Sequence, residues 1–289
     1  MSELTLGIDI GGTYCKYGLC DDQGKIVYQS KIKTSSDILE SCLKIKEETT
    51  SYDYKKVGIG IPNYNLELGC LDNAVNISAK SSGLKKDLES LFSDQDVLIE
   101  NDANASAVGE LVFGDFSKTD SFVYITLGTG VGMAYFNKGQ MVSFCEGGHI
   151  PVVPNGRICP CGKKGHIESY LGVKGLEQTY FEVAGVKKDV DYILSEADNF
   201  SKEVIDISSD HLAFALDAVT SFCRPDYFIF SGGLSEGNPR LYQLAETKLN
   251  ERIFKSFQGH SKVRKAHLKA DDAGVVGASA LFKIKDQLK

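Results

Sequence analysis

The sequence has 289 residues, of which 42% are hydrophobic and 25% are charged. This composition is typical of a globular protein with one large domain or two linked ones, and it excludes a disordered, collagen-like or coiled-coil chain. Lys and Arg number 32 against 39 Asp and Glu, which gives a formal net charge of −7. Because there is no basic surplus to neutralise a phosphate backbone, we expect no nucleic acid among its partners.

Targeting signals are not evident in the sequence. The N-terminus has no basic region followed by an apolar run, and no stretch of about 18 apolar residues predicts a membrane span. Eight cysteines in a chain of this length are too few for a disulfide scaffold. We therefore predict a cytoplasmic protein that has no membrane partner.

The first part of the chain has the pattern of a strand meander followed by alternating helices and strands. Strands are predicted at 4–10, 16–20, 25–32, 57–61 and 97–99, and helices at 37–50, 84–92 and 103–113. The pattern of strand, glycine turn and strand then recurs at 122–127 and 132–136. This recurrence indicates two related α/β halves, each with its own sheet.

Helical periodicity dominates the rest of the chain. Helices are predicted at 173–184, 208–223, 239–256 and 273–286, with one strand at 227–231 and a loop over most of 149–165.

Three glycine turns each follow an apolar strand: Gly11-Gly12-Thr13, Gly128-Thr129-Gly130 and Gly232-Gly233. Glycine lets backbone N–H groups approach a ligand closely, as in phosphate cradles, although hairpin geometry alone would explain any single turn. The three turns together favour a nucleotide site. Neither the P-loop nor the Rossmann spacing is present, so this site belongs to another class.

The turns belong to a longer series of motifs. In chain order these are Asp9-Ile10-Gly11-Gly12-Thr13, Glu100-Asn101-Asp102-Ala103-Asn104-Ala105 with Glu110, Leu127-Gly128-Thr129-Gly130-Val131-Gly132, Glu146-x-Gly-His149, and Cys159-x-Cys161-Gly162-x-x-Gly165-His166-x-Glu168. From residue 4 to about 280 the series resembles the ROK family of bacterial sugar kinases and repressors. The resemblance implies an α/β fold of two actin-like (ribonuclease H-like) domains around a cleft.

The implied domains are an N-terminal α/β domain at 1–115, with the C-terminal helix 273–289 packing back on it, and a C-terminal α/β domain at 116–272 with a zinc-loop insertion at 149–168. ROK repressors carry a helix-turn-helix domain before the first glycine turn. Asp9 lies too near the start for such a domain, so we expect a kinase.

The resemblance implies ATP-dependent phosphorylation of a hexose, with Asp102 as the catalytic base. The implied sugar ligands are Asn76, Asn101, Asp102, Glu146, His149 and Glu168. ATP and its Mg²⁺ would contact Asp9, Gly11, Gly12, Thr13, Lys16, Gly128, Thr129, Gly130, Gly232 and Gly233. If these residues bind no ligand, the Asn101-Asp102 pair is a helix N-cap. The glutamates are then solvated surface residues, and Asp9 is a polar residue at the end of a strand.

A structural zinc site is also implied, with His149, Cys159, Cys161 and His166 as a closed tetrahedral set. The fourth ligand in the family is usually cysteine, whereas this chain has His166. The alternative is a loop with two free thiols.

Three further departures from the family lie on the sugar side. The loop at 140–145 is short, Pro62-Asn63 replaces the usual Pro-Gly, and no aromatic residue that would line the pocket is evident after Asn76. Phosphoryl transfer is therefore better supported than any particular sugar. Glucose is the first candidate, and N-acetylmannosamine, allose, fructose and a glucoside are the alternatives.

Two other classes of function stay open: a sugar-sensing protein with weak or no turnover, and an actin-like structural ATPase. The first would tolerate loss of Asp102, and the second would lack the Cys-x-Cys loop. The resemblance also implies a homodimer.

Overall fold

The computed structural model describes residues 3–65, 70–71, 83–115, 120–142 and 145–288. The chain divides into two compact units. Unit 1 comprises Met1–Phe116 and His267–Lys289, and unit 2 comprises Ser117–Ala266. No helix in these described stretches is both long enough and apolar enough to cross a membrane.

Strands and helices alternate in the described residues. The strands are β1 (Leu4–Ile10), β2 (Tyr14–Cys20), β3 (Ile26–Lys33), β4 (Tyr54–Ile61), β5 (Tyr64–Asn65), β6 (Cys70–Leu71), β7 (Asp96–Asn101), β8 (Phe122–Leu127), β9 (Val131–Asn137), β10 (Gln140–Val142), β11 (Tyr227–Ser231) and β12 (Lys262–Lys265). The helices are α1 (Ile38–Thr49), α2 (Leu84–Leu91), α3 (Asp102–Phe113), α4 (Glu168–Leu171), α5 (Val173–Ala184), α6 (Val190–Leu194), α7 (Asn199–Cys223), α8 (Gly233–Gly237), α9 (Arg240–Arg252) and α10 (Ala270–Ala280). Short 3₁₀ turns lie at Gly147–His149, Lys255–Phe257 and Leu281–Gln287.

The two units contain sheets with equivalent strand orders. The order is β3-β2-β1-β4-β7 in unit 1 and β10-β9-β8-β11-β12 in unit 2. In each sheet the first three strands in chain order pair antiparallel, the fourth pairs in parallel with the first, and the fifth pairs in parallel with the fourth. The predicted α/β fold with two related sheets is confirmed.

Helix α10 packs directly on the sheet of unit 1. A Cβ atom at Gly7 would lie 2.1 Å from the Val275 carbonyl oxygen, and one at Gly58 would lie 1.8 Å from the carbonyl oxygen of Ala278. Only glycine in these strands allows the helix backbone to come so close. The C-terminal helix is therefore part of the core of unit 1.

The core of unit 2 is formed by its strands and the long helix α7. Ile125, Phe228 and Phe230 of the sheet belong to the same buried cluster as Leu212 and Leu216 of α7, and none of them is exposed. Burial of these apolar side chains is the main stabilising contribution of the unit.

Several elements of unit 2 differ from the sequence-based expectations. Helix α7 begins at Asn199 instead of 208, because Asp198 accepts a hydrogen bond from the Ser201 N–H and caps the helix earlier. Strand β12 has only one apolar residue, Val263, and therefore gives no strand pattern; parallel pairing with β11 holds it in the sheet.

Candidate active site

The first glycine turn joins β1 and β2 in unit 1. The Gly11 N–H donates to the Tyr14 carbonyl at 3.1 Å, and the Thr34 hydroxyl donates to the Gly11 carbonyl at 2.7 Å. A Cβ at Gly11 would lie 2.8 Å from the Tyr14 oxygen, whereas a Cβ at Gly12 would meet no atom within 4 Å. The turn itself therefore requires Gly11, and the side-chain position of Gly12 is open. Thr13, next in the turn, is exposed.

Asp9 and Lys16 are paired residues in the antiparallel register of β1 and β2. Burial raises the pKa of the Asp9 carboxyl from 3.8 to about 6, although the charge of Lys16 acts to lower it. Part of this burial comes from α10, where a Cβ at Gly274 would lie 2.3 Å from Asp9 Oδ2. The Lys16 ammonium itself lies 2.7 Å from Asp271 Oδ1. A divalent cation near Asp9 would offset the burial of its carboxylate.

Asn101 and Asp102 lie at the junction of β7 and α3. The Asn101 side-chain oxygen accepts from the N–H groups of Ala103 at 2.9 Å and Asn104 at 3.4 Å. Asp102 Oδ1 also accepts from the Ala103 N–H, at 2.9 Å. The interpretation as a helix cap is confirmed for Asn101, and Asp102 is the first residue of α3. A partly exposed carboxylate in this position is also suited to accept a proton.

Glu100 supports this junction from the buried side. Its side chain is 2% exposed, and Oε1 accepts from the Asn101 N–H at 2.9 Å and from Asn104 Nδ2 at 3.0 Å. The other oxygen, Oε2, has no hydrogen-bond partner among the described residues. Burial raises the pKa of Glu100 above its ordinary value.

Glu110 has a structural role in the same helix. Its buried carboxylate accepts the N–H groups of His267 at 2.6 Å and Leu268 at 3.2 Å, which ties α3 to the segment before α10. Burial raises its pKa as well. Glu100 and Glu110 both belong to the motif series, but the sequence analysis assigns them no role. A charged residue within an apolar helix pattern could have indicated that Glu110 is buried.

The other two glycine turns are neighbours in unit 2. Gly232 has a φ of +91°, and a Cβ there would lie 2.3 Å from the Leu127 carbonyl oxygen, so the turn after β11 packs on the end of β8. Cβ atoms at Gly128 and Gly233 would meet no atom within 4 Å. The structure therefore brings two of the three predicted turns together and leaves one open glycine in each. Thr129, between the glycines of its turn, is exposed.

The four predicted zinc ligands form one cluster in unit 2. The candidate ligand atoms of His149, Cys159, Cys161 and His166 all lie within 4.8 Å of one another. Cys159 Sγ is 3.7 Å from His149 Nδ1, and Cys161 Sγ is 3.2 Å from His166 Nδ1. Two thiols and two imidazoles are a donor set that zinc binds, and the 3.7 and 3.2 Å separations are close to the roughly 3.3–3.8 Å between ligand atoms of a tetrahedral zinc ion.

The turn at 159–165 brings the two thiols together. The Gly162 N–H donates to the Cys159 carbonyl at 2.8 Å, and both Gly162 and Gly165 have positive φ angles. Burial raises the pKa of the Cys159 thiol to about 11. A bound cation would reverse this effect, because it stabilises the thiolate.

Two predicted sugar ligands have different surroundings in unit 2. Glu168 is the first residue of α4, and its Oε2 accepts from the Val131 N–H at 3.2 Å. Its Oε1 lies 3.9 Å from Cys159 Sγ, so the carboxylate borders the Cys/His cluster. Glu146 is exposed, and its carbonyl accepts from the His149 N–H at 3.0 Å.

Arg157 anchors the loop at 149–168, and the sequence analysis did not identify this residue. The guanidinium donates to the carbonyls of Ser169 at 3.1 Å and Gly175 at 3.0 Å, to the Thr179 hydroxyl at 2.9 Å and to the Glu182 carboxylate at 2.6 Å. It also stacks over the Tyr170 ring, 4.7 Å from the centroid, while the Arg157 N–H donates to the Tyr170 oxygen at 2.8 Å. These partners come from α4 and α5, so no local motif reveals the contact.

The remaining sugar-side expectations are resolved in part. Asn63, in place of the usual glycine, has a φ of 56°, and asparagine is one of the few residues other than glycine that adopt this conformation readily. Asn63 therefore adopts a backbone conformation that glycine also adopts. Asn76 lies outside the described residues.

The two matched sheets, the glycine turns and the Cys/His loop define a member of a known family of kinases and repressors. The ROK family model matches residues 5–285, and the chain belongs to the ROK family. It is 29% identical to a glucokinase of Thermotoga maritima over 311 residues, which cover 96% of both proteins. It is also 27% identical to an N-acetyl-D-glucosamine kinase of Citrobacter koseri, covering 97% of this chain and 99% of that protein.

Solved structures show the same similarity. A ROK family glucokinase from Streptomyces griseus, in complex with glucose and AMPPNP, is 28% identical and superposes with a TM-score of 0.84. The match covers 96% of this chain and 98% of that one.

Proposed function

We propose that this chain transfers the γ-phosphoryl group of ATP to a hydroxyl of a hexose, with glucose as the first candidate. The observation that carries the proposal is that each glycine turn keeps one glycine, Gly12, Gly128 or Gly233, whose side-chain position is empty. None of the three has a positive φ. Neither conformation nor packing of the described residues requires glycine there, whereas a phosphate-bearing ligand close to the backbone does. The full-length similarity to glucokinases supports the same function.

The nucleotide is proposed to lie against the glycine turns. The proposed contacts are Gly11, Gly12, Thr13, Lys16, Gly128, Thr129, Gly130, Gly232 and Gly233. Asp9 would hold Mg²⁺ through water, and its buried carboxylate suits that cation. The cation supplies charge neutralisation for the phosphates, and the turns supply N–H donors.

Asp102 is proposed as the base that accepts the proton of the attacking sugar hydroxyl. The hydroxyl oxygen bonds to the γ-phosphorus, the bond from this phosphorus to the β–γ bridging oxygen breaks, and ADP leaves with the electron pair. Because the transition state is loose, positioning of the hydroxyl counts for more than base strength. The Asn101 oxygen caps α3, so its NH₂ group is the donor left for the sugar.

The other sugar contacts are proposed to be Glu146, His149 and Glu168, with Asn76 from outside the described residues. Carboxylates accept from sugar hydroxyls, and an imidazole offers one donor and one acceptor. Zinc at His149, Cys159, Cys161 and His166 would hold the loop that carries His149 and Glu168, which is a structural role. A homodimer and a cytoplasmic location stay predictions from the sequence.

The test is an ADP-release assay with Mg²⁺-ATP and a panel of hexoses and N-acetylhexosamines. N-Acetylglucosamine joins the panel because relatives of this chain carry the name of its kinase. We expect sugar-dependent ADP release with at least one hexose. Sugar binding in calorimetry without ADP release would favour a sugar-sensing protein, and ATP hydrolysis at equal rates with and without sugar would favour an actin-like ATPase.

A further inference from the structure

The glycines of the turn Gly128-Thr129-Gly130 have different surroundings. The Val173 N–H donates to the Gly128 carbonyl at 3.0 Å, and a Cβ at Gly172 would lie 2.5 Å from the Thr129 carbonyl oxygen. The backbone of the turn therefore packs against the junction of α4 and α5. The side-chain position of Gly128, by contrast, meets no atom within 4 Å.

Gly130 is covered by the side chain of Glu168. A Cβ at Gly130 would lie 2.5 Å from Glu168 Oε2, 3.2 Å from Cδ and 3.8 Å from Cγ. The first distance is too short for any non-bonded contact between carbon and oxygen. Gly130 does not have a positive φ, so its conformation would accept other residues. The described structure thus gives one reason for glycine at this position, which is the space that Glu168 occupies.

The same carboxylate oxygen accepts the N–H of the next residue, Val131, at 3.2 Å. A hydrogen bond from a backbone N–H to a carboxylate is stronger than one between neutral groups. Since the atom in the way is the end of a flexible side chain, an added methyl group at 130 would move the carboxylate rather than unfold the turn. That movement would break the bond to Val131.

We propose that Gly130, besides belonging to a turn proposed to contact the nucleotide, is a positioning residue for the sugar site. Its missing side chain lets the Glu168 carboxylate reach the Val131 N–H and keeps it at the edge of the Cys/His cluster, 3.9 Å from Cys159 Sγ. This inference rests on the proposed function, in which Glu168 binds a sugar hydroxyl. It adds a role for the missing side chain of Gly130 to the proposed nucleotide contact of this turn.

The first experiment compares Gly130→Ala with Gly128→Ala, a matched substitution two residues away. We expect Gly130→Ala to raise the sugar KM about tenfold, the effect of one lost charge-assisted hydrogen bond. The Kd of a fluorescent ATP analogue, measured without sugar, is expected to change less than about twofold. Gly128→Ala is expected to raise the Kd of the ATP analogue and to leave the sugar KM nearly unchanged. Weakening of the ATP analogue by Gly130→Ala, with an unchanged sugar KM, would overturn the inference.

The second experiment needs no turnover. Glu168→Ala removes the atoms that a Cβ at position 130 would meet. We expect Gly130→Ala to lower the midpoint of thermal unfolding by about 2 °C in the wild-type background and to have no effect in the Glu168→Ala background. Equal effects in the two backgrounds would mean that Glu168 is not the reason for the glycine. If the wild-type chain phosphorylates no sugar, the proposed function fails, while the unfolding cycle and the ATP-analogue Kd still decide the role of Gly130.

Discussion

Asp102→Asn removes the charge of the proposed base and keeps an oxygen that can cap α3. Asp102 Oδ1 accepts the Ala103 N–H at 2.9 Å, and the neighbouring Asn101 accepts the same N–H. Stability should therefore fall only by the lost charge at the helix N-terminus, about 0.3–1 kcal/mol. Loss of a general base lowers kcat by roughly 10²–10⁴-fold, which corresponds to about 3–5 kcal/mol in the barrier.

The assay combines ADP release at saturating sugar with urea unfolding. Asp37→Asn is the matched control, because Asp37 caps α1 through its Oδ1 and the Leu39 N–H at 2.9 Å and lies outside the proposed site. We expect Asp37→Asn to keep the wild-type kcat with a similar small loss of stability. If Asp102→Asn retains more than about a tenth of the wild-type kcat, the reasoning that makes Asp102 the base is wrong.

Three other predictions concern pH, metal and the anchor of the loop. Burial raises the folded-state pKa of Glu100, so its stabilising contribution is present at low pH and is lost as pH rises through that pKa. Glu100→Gln should therefore raise the free energy of unfolding more at pH 7.5 than at pH 4.5; urea unfolding showing the same change at both would contradict this. Metal analysis should find about one zinc per chain. Cys159→Ser or chelation should raise the sugar KM with little change in nucleotide Kd, and absence of metal with full activity would rule out the zinc site. Arg157→Lys should lower the free energy of unfolding by about 1–3 kcal/mol, because an ammonium cannot replace the guanidinium fork. Arg240→Lys, at an exposed pair with Glu196, should cost under about 1 kcal/mol in the same measurement, and equal losses would refute the anchoring role.

Local sequence patterns were sufficient to predict the fold class and to identify the series of motifs. Apolar alternation interrupted by glycine turns predicts the strands, and the recurrence of this pattern predicts the second sheet, because both signals lie in consecutive residues. The Cys-x-Cys-Gly-x-x-Gly-His spacing likewise predicts the cluster at 159–166, since its glycines allow the tight turn. Strand β12 was missed because pairing with β11, and not its own composition, places it in the sheet.

Tertiary structure decided what each glycine and each buried charge does. The sequence shows identical residues at Gly128, Gly130 and Gly232, yet the first position is open, the second is covered by Glu168 and the third lies against Leu127. The contacts of Arg157, which joins its loop to α4 and α5, are likewise visible only in the tertiary structure. These contacts connect residues that are far apart in the chain, and a one-dimensional pattern reports only which residues are near in sequence. The sequence by itself therefore predicted which turns and which loop could bind ligands, and packing decided which of their side-chain positions are open or covered.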